Sequence, residues 1–394
     1  MSELVKLGDY VDVLTGYPFK SSGYIENPNG VRLLRGDNIG QGRIRWDNAK
    51  LWPADEFNVH KQYQLQAGDV VLAMDRPWIE AGLKCAEIRA DDVPSLLVQR
   101  VARLRALPGL DQRYLAYLIR SPRFTDYVLG VQTGTAVPHI SAAQIRDFEF
   151  CLPPLRTQQA IAAVLGALDD KIAVNERIAR SCDELRALRF VDFIQSSPSK
   201  VIERPLSSFA DFVNGRAFTK NATGTGRMVI RIAEINSGPG GSTVYNDIDV
   251  PDRHLARPGD VLFAWSGSLT VARWFRPEAI VNQHIFKVIP RDGLPNWLLF
   301  ELIRTKLKKF QSIAADKATT MGHIQRRHLD EPVSAPADDV VSRLDSQLGP
   351  LWERALTAEQ ESLTLAALRD TLLPKLISGE LRVRDAEKAV EEAL

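Results

Sequence analysis

No apolar run in this chain approaches the roughly 20 residues needed to cross a bilayer, and its first ten residues, MSELVKLGDY, lack the apolar core of a secretory signal. A cytoplasmic location is therefore expected. Cysteine is scarce: the three present (Cys85, Cys151, Cys182) have no CxxC spacing and cannot all pair, which fits a reducing compartment and buried thiols. The six histidines, at 60, 139, 254, 284, 323 and 328, form neither HExxH nor a His/Cys ligand cluster, which argues against a zinc enzyme. There is no GxxxxGK[ST] phosphate loop and no GxSxG elbow, and the GTG at 224–226 sits in a Thr/Gly-rich loop. An adenine methyltransferase calls for Asn or Asp ahead of Pro-Pro-aromatic. The only Pro-Pro here lies between leucines in LPPL at 152–155, where it reads as a stop before a helix. Asp169-Asp170-Lys171 has a nuclease-like look but lies inside a helical pattern, so it reads as a charged outer face. These absences point to a non-catalytic chain with no metal or cofactor of its own.

What the chain does contain, it contains twice. LGDYVDVLTGYPFK at 7–20 returns as LSSFADFVNGRAFTK at 206–220, LLRGDNI at 33–39 as IRIAEI at 230–235, and AGDVVLAM as PGDVLFAW, with Gly68 matching Gly259. From Gln99/Gln283 through LIR (118–120 and 302–304) to His139/His323 the offset stays at 184 residues, so the copies align there without a gap. A period this long means duplication of a whole domain, not a solenoid. Glycines Gly16/Gly215 and Gly68/Gly259 are expected in turns. Each copy reads as mixed α/β, with strands near 31–35, 69–74, 96–104, 227–232, 260–265 and 280–289 and helices near 112–129 and 295–314.

Each copy ends in a long helical pattern. In the first, Ile161, Val164, Leu168, Ile172, Ile178, Cys182, Leu185 and Leu188 recur at three- and four-residue steps, broken mainly at Asn175. The second answers with Val341, Leu344, Leu348, Trp352, Leu365 and Leu368, and LRALR at 185–189 reappears as LAALR at 365–369. These positions are the expected core of a helix pair. The organisation read from the sequence is a globular domain over 1–152, a helix over 153–197, a second globular domain over 198–337, a second helix over 338–385 and a tail over 386–394. Pro350, inside the second helical pattern, costs about 3 kcal/mol in a helix interior, so a break or restart is expected there. Pro374 is expected to kink or end the last segment, with Gly379 as its cap. Charge is uneven: 19 basic against 13 acidic residues over 199–336, and 7 against 12 over 337–394. A basic second domain is weak evidence for a phosphate partner, with an uneven solvated surface as the alternative.

Two variable globular units, each followed by a long helix, with LPPLRTQQAI before the first and LRDTLLPKLISGELRV near the C-terminus, resemble the specificity subunit of a type I restriction-modification enzyme. The resemblance implies two target-recognition domains, each reading half of a split double-stranded DNA sequence. It implies an antiparallel two-helix coiled coil that spaces them and docks two methyltransferase subunits, with motor-nuclease subunits completing the complex. S-adenosylmethionine, ATP and Mg would then sit on those partners, with no membrane involved. A helix over 155–194 would be about 60 Å long, enough to span more than one DNA turn of ~34–36 Å.

If the copies read different half-sites, they should agree at scaffold and phosphate contacts and differ at base edges. Agreement picks out Lys20/Lys220, Arg35/Arg231, Gln99/Gln283, Thr135/Thr319 and His139/His323, for which packed scaffold is the competing reading. Thr320, Arg326 and Arg327 join them as phosphate candidates. Disagreement picks out Arg76 and Trp78 against Trp265, Ser266 and Ser268, Tyr17 against Arg216, and Asp37-Asn38 against Glu234. Arg76 suits guanine and Asn38 suits adenine; the tryptophans are ambiguous, since tryptophan is more often core than probe. The rival from another class is a scaffold protein acting through its helices without touching DNA.

Overall fold

A computed structural model describes residues 3–134, 136–315 and 322–393. The chain divides into two compact units, residues 1–170 with 366–394, and residues 171–365.

Both are mixed α/β units built to one plan. In the first, an antiparallel four-stranded sheet runs Val11–Thr15, Val101–Ala106, Val70–Ala73, Cys85–Glu87. A second sheet places Val31–Leu34 between antiparallel Lys50–Trp52 and parallel Ser95–Leu97. Glu3–Lys6 pairs with Glu149–Leu152, tying the start of the unit to the strand that leads into the long helix. The second unit repeats this with Ala210–Asn214, Ile285–Pro290, Val261–Ala264 and Thr270–Arg273. Its other sheet sets Arg227–Ile230 parallel to Ala279–Val281, and Val201–Pro205 pairs with Pro332–Pro336. The all-apolar strands Val70–Ala73 and Val261–Ala264 are buried along their whole length, as continuous apolar runs in central strands require.

Gly68 and Gly259 do sit in turns, with φ of +91° and +92°, where L side chains are disfavoured. Gly16 and Gly215 do not: their backbones are not left-handed, and what demands glycine is a close approach. A Cβ on Gly16 would lie 2.3 Å from the Val98 carbonyl oxygen, and one on Gly215 2.0 Å from that of Asn282. The clash is with backbone and cannot be relieved by a rotamer. Gly215→Ala is therefore expected to destabilise the second unit by about 2–3 kcal/mol, read as a lowered urea midpoint.

Several sequence expectations are corrected. The strand expected over 96–104 is two strands, Ser95–Leu97 and Val101–Ala106, split by a tight turn at Gln99-Arg100; 280–289 is split likewise at Gln283-His284. The helix expected over 112–129 is two, Gln112–Arg120 and Pro122–Val131. Ser121 ends the first and caps the second through its Oγ, and Pro122 fits the first turn of the new helix.

The first long helix runs Leu155–Ser196 and the second Asp338–Ser378. The second passes through Pro350 and Pro374 without the expected break. Pro350 lies on the exposed face, where the carbonyl it leaves unpaired meets water, while Leu344, Leu348 and Trp352 stay locked in the core of the second unit. Gly379, at φ +78°, ends the helix as expected.

Most of the expected helix-pair core is internal. Ile161, Val164, Leu168, Val341, Leu344, Leu348, Trp352 and Leu365 are buried, and Ile172 and Leu368 are half-buried. Leu185 and Leu188 are not core: they are 41% and 69% exposed. The seam in the second unit runs instead through Asn175, Ala179, Arg186 and Phe190, one residue round the helix, with Ala179 packed closely on Ala355 and Ala358. A polar asparagine and an arginine occupy positions that an apolar count passes over.

Candidate nucleic-acid interface

In the first unit, the Gly36–Asn38 turn, the loop after Val70–Ala73 and the Gln99-Arg100 turn converge on a charged cleft of about 390 Å³. Arg35, Asp37, Asp75, Arg76, Lys84, Gln99 and Arg100 line it. Asp75 organises one wall: it lies 2.8 Å from His139 Nδ1 and 3.7 Å from Arg100 Nε. Arg35 reaches Asp37 at 3.4 Å, and Asp37 is exposed. Burial holds the Lys84 ammonium below its ordinary value, with Asp37 opposing and Arg76 adding to the shift. The cleft thus concentrates four cations and two carboxylates, a surface that suits a polyanion bearing hydrogen-bonding edges.

The equivalent surface of the second unit is built on the same backbone with other chemistry. Trp265 carries the ring of His284 at 5.2 Å and lies 6.3 Å from His323, while its indole N–H donates to Asn214 at 2.9 Å. The backbone bridge Asp75–His139 of the first unit recurs as Ser266–His323. Ser266 is buried beneath this surface and Ser268 is exposed on it.

The structure sorts the remaining sequence candidates. Asn38 and Glu234 are buried and committed to capping boxes. Asn38 Oδ1 accepts from the Arg35 amide at 3.0 Å and its Nδ2 donates to the Arg45 carbonyl at 3.0 Å. The Glu234 carboxylate accepts from the Arg231 amide at 2.9 Å, the Arg231 guanidinium at 2.6 Å and Thr243 at 3.0 Å. In that state neither Asn38 nor Glu234 is free to meet a base, and the Arg35/Arg231 agreement reflects a shared cap. Trp78 lies outside the charged cleft, on the Trp78–Ile79 strand beside Arg120 and Arg369. Tyr17 is part of an aromatic cluster with Phe19, His60 and Tyr63. Arg216, Lys20, Lys220 and Gln283 are exposed, and Arg326 and Arg327 line a separate cavity with Asp211 and Arg291. Thr135, Thr319 and Thr320 lie outside the described residues. Lys84, Arg100 and His284 were not among the candidates. Arg100 and His284 directly follow the matched glutamines, and a divergent position beside a matched one was the signal available.

In each unit the globular part is also seated on the long helices through charge. In the first unit Tyr117 donates to Asp169 at 2.8 Å, and Arg120 and Arg369 reach the same carboxylate at 3.2 and 2.6 Å. Asp169 is therefore a junction, not the solvated outer face expected. Asp170 pairs with Arg113 at 2.6 Å, and in the second unit Lys171 pairs with Glu361 at 3.2 Å. Burial alone would raise the pKa of Asp169, but Arg120, Arg369 and the Tyr117 hydroxyl outweigh it and hold the carboxyl below the ordinary aspartate value. A depressed folded value stabilises the fold above the unfolded one, and the gain is lost as pH falls through the folded value. Asp169→Asn is expected to cost the first unit about 1–3 kcal/mol at pH 7. The gap from the parent should shrink as pH drops below about 4, measured by thermal unfolding across a pH series.

Among the described residues no helix is long and apolar enough to cross a membrane, and no His, Cys, Asp and Glu cluster could hold a metal ion. Residues 2–181 match the type I restriction modification DNA specificity domain. The chain is 35% identical over 176 residues to the type I restriction enzyme MjaVIII specificity subunit of Methanocaldococcus jannaschii, covering 44% of this chain and 41% of that one. It is 32% identical over 185 residues to the EcoAI specificity subunit of Escherichia coli, covering 47% and 29%. The matched stretches thus span less than half of these curated relatives. The fold is similar to the type I restriction-modification S subunit from M. genitalium, with a TM-score of 0.55 at 13% identity over 95% of this chain and 96% of that one. The chain is thus a doubled α/β unit with two long helices, similar in fold to that S subunit, and its residues 2–181 match the type I restriction modification DNA specificity domain.

Proposed function

We propose that this protein supplies the DNA address of a type I restriction-modification complex, each globular unit reading one half of a bipartite double-stranded target. The observation that carries this reading is the pairing of one backbone framework with two chemistries: a cleft of arginines, lysine and carboxylates in the first unit, and a Trp265/His284/His323 surface in the second. Scaffold positions repeat and surface positions diverge, as two readers of unlike half-sites require. Catalysis belongs to partner subunits, which carry S-adenosylmethionine, ATP and Mg; this chain adds no reacting group. Two methyltransferase subunits dock on the long helices, whose length sets the unread spacer, and motor-nuclease subunits complete the assembly. The exposed apolar residues Leu185, Leu188 and Val191 on the first long helix support a protein-docking role there.

The test is a reconstitution. Purified chain with its methyltransferase should methylate adenines in one split sequence, while the chain alone with S-adenosylmethionine transfers nothing. Binding of that duplex should weaken steeply with salt. If the chain pairs with protein partners and the assembly shows no preference among duplexes, the scaffold reading takes its place.

A further inference from the structure

We infer that Arg100 and His284 are the equivalent specificity positions of the two units, each held by a strained turn so that its side chain meets a base edge; this rests on the DNA-reading role proposed above. The two residues occupy the same place in the repeat, one after the matched Gln99 and Gln283. Both have left-handed backbones, with φ of +66° and +73°. That conformation favours glycine, and a bulky L residue there is held at a cost.

The surroundings impose the turn identically in both units. The Arg100 carbonyl accepts from the Met74 amide at 2.8 Å, and the His284 carbonyl from the Trp265 amide at 3.1 Å. The Gln99 amide donates to Tyr17 at 2.9 Å, and the Gln283 amide to Arg216 at 2.9 Å. Glycine or asparagine would satisfy all of these bonds with less strain, yet neither copy has one. Strain kept twice, with two different side chains, marks a position where the side chain itself is needed.

The two side chains point to different chemistry. The Arg100 side chain is 59% exposed on the charged cleft, and its one ion pair among the described residues is the loose 3.7 Å contact with Asp75. Its guanidinium is available for the O6 and N7 edge of guanine. His284 is half-buried, its ring tilted against Trp265 and its Nδ1 enclosed, so the second unit presents the rest of an imidazole beside an indole. Arg76 supports the same logic: its φ is +44° at the point where the second unit has Gly267, at +67°. There the Arg76 amide donates to Pro138 at 2.7 Å and the Gly267 amide to Gly322 at 2.9 Å, so the first unit keeps a strained arginine where the second uses glycine.

The variants Arg100→Gly and His284→Gly separate function from folding, because each relieves strain. Each should leave the melting temperature unchanged or raise it by about 1–4 °C. The full-length chain with its methyltransferase is offered a pool of duplexes with randomised positions, and the enriched sequences are read. The parent should enrich one bipartite sequence. Arg100→Gly should lose roughly tenfold to a hundredfold discrimination at one base of one half-site, and His284→Gly at one base of the other. If both variants enrich the parent's sequence unchanged, the inference is overturned and the DNA-reading role survives. If the parent enriches nothing, the role itself falls and the inference with it.

Discussion

Glu301→Ala should lower the stability of the second unit by about 3–5 kcal/mol, the largest single loss expected in the chain. Glu301 and Arg186 are both fully buried, with Arg186 Nε 3.0 Å from Glu301 Oε1 and Arg304 Nε 2.8 Å from Oε2. Arg186 also pairs with Asp183 at 2.6 Å, and Asp183 with Arg273, whose Nε reaches Glu359 at 2.8 Å. Trp352 packs beside both guanidinium groups, 4.9 Å from Arg186 and 4.5 Å from Arg273. Removing Glu301 leaves the buried Arg186 only Asp183, which it shares with Arg273, and its Nη2 already has no hydrogen-bond partner. Replacing both residues should cost far less than replacing one: Arg186→Met with Glu301→Leu is expected to recover most of the loss in urea unfolding. A double variant as unstable as the single one would show that the contribution is packing and not the uncompensated charge.

The same position predicts that the two globular parts are not interchangeable. Glu301 occupies the place of Tyr117, and Arg304 that of Arg120, at the 184-residue offset. In the first unit the globular part brings Tyr117 and Arg120 to a carboxylate on the long helices, Asp169; in the second it brings Glu301 to an arginine. The seats have opposite polarity. Setting the first globular part on the second seat would leave Arg186 buried beside Tyr117 and Arg120.

The scaffold was legible because it is written twice. The constant offset from Gln99 to His139 follows one turn, one strand and the helix that seats the domain, and the strand order repeats with it. The tight turns at 99–100 and 283–284 were missed because each lies between apolar runs and contains no glycine, the usual mark of a left-handed residue. Arg35-x-x-Asn38 and Arg231-x-x-Glu234 carried the three-residue spacing of a cap, but a polar residue in a loop reads equally well as a probe. The helix seam was misplaced by one residue in the second unit because its buried positions are Asn175, Ala179 and Arg186, so tertiary contacts outrank apolar count. Pro350 was overrated for the same reason: the packing of Leu348 and Trp352 outweighs one lost hydrogen bond.

A fragment ending near Ser197 should form a homodimer, and the repeat says which residues hold it. In the first unit Arg369, in LAALR, reaches Asp169 at 2.6 Å. LRALR places Arg189 at the matching position of the first long helix, where in the full chain it is exposed and has no ion pair among the described residues. In a dimer of fragments, Arg189 of each copy would take the place of Arg369 against Asp169 of the other. The C-terminal half lacks this device, since Gly349 stands at the position of Asp169. Sedimentation should therefore show twice the monomer mass for residues 1–197 and weaker association for residues 198–394. Arg189→Ala should weaken pairing of the N-terminal fragment about tenfold or more while leaving the full chain's stability within about 0.5 kcal/mol. If the DNA-reading role holds, the paired fragment with methyltransferase should modify a palindrome made of the first half-site. A fragment that stays monomeric at micromolar concentration, or an Arg189→Ala fragment that pairs as well as its parent, would show that the Asp169 seat does not drive the association of the helices.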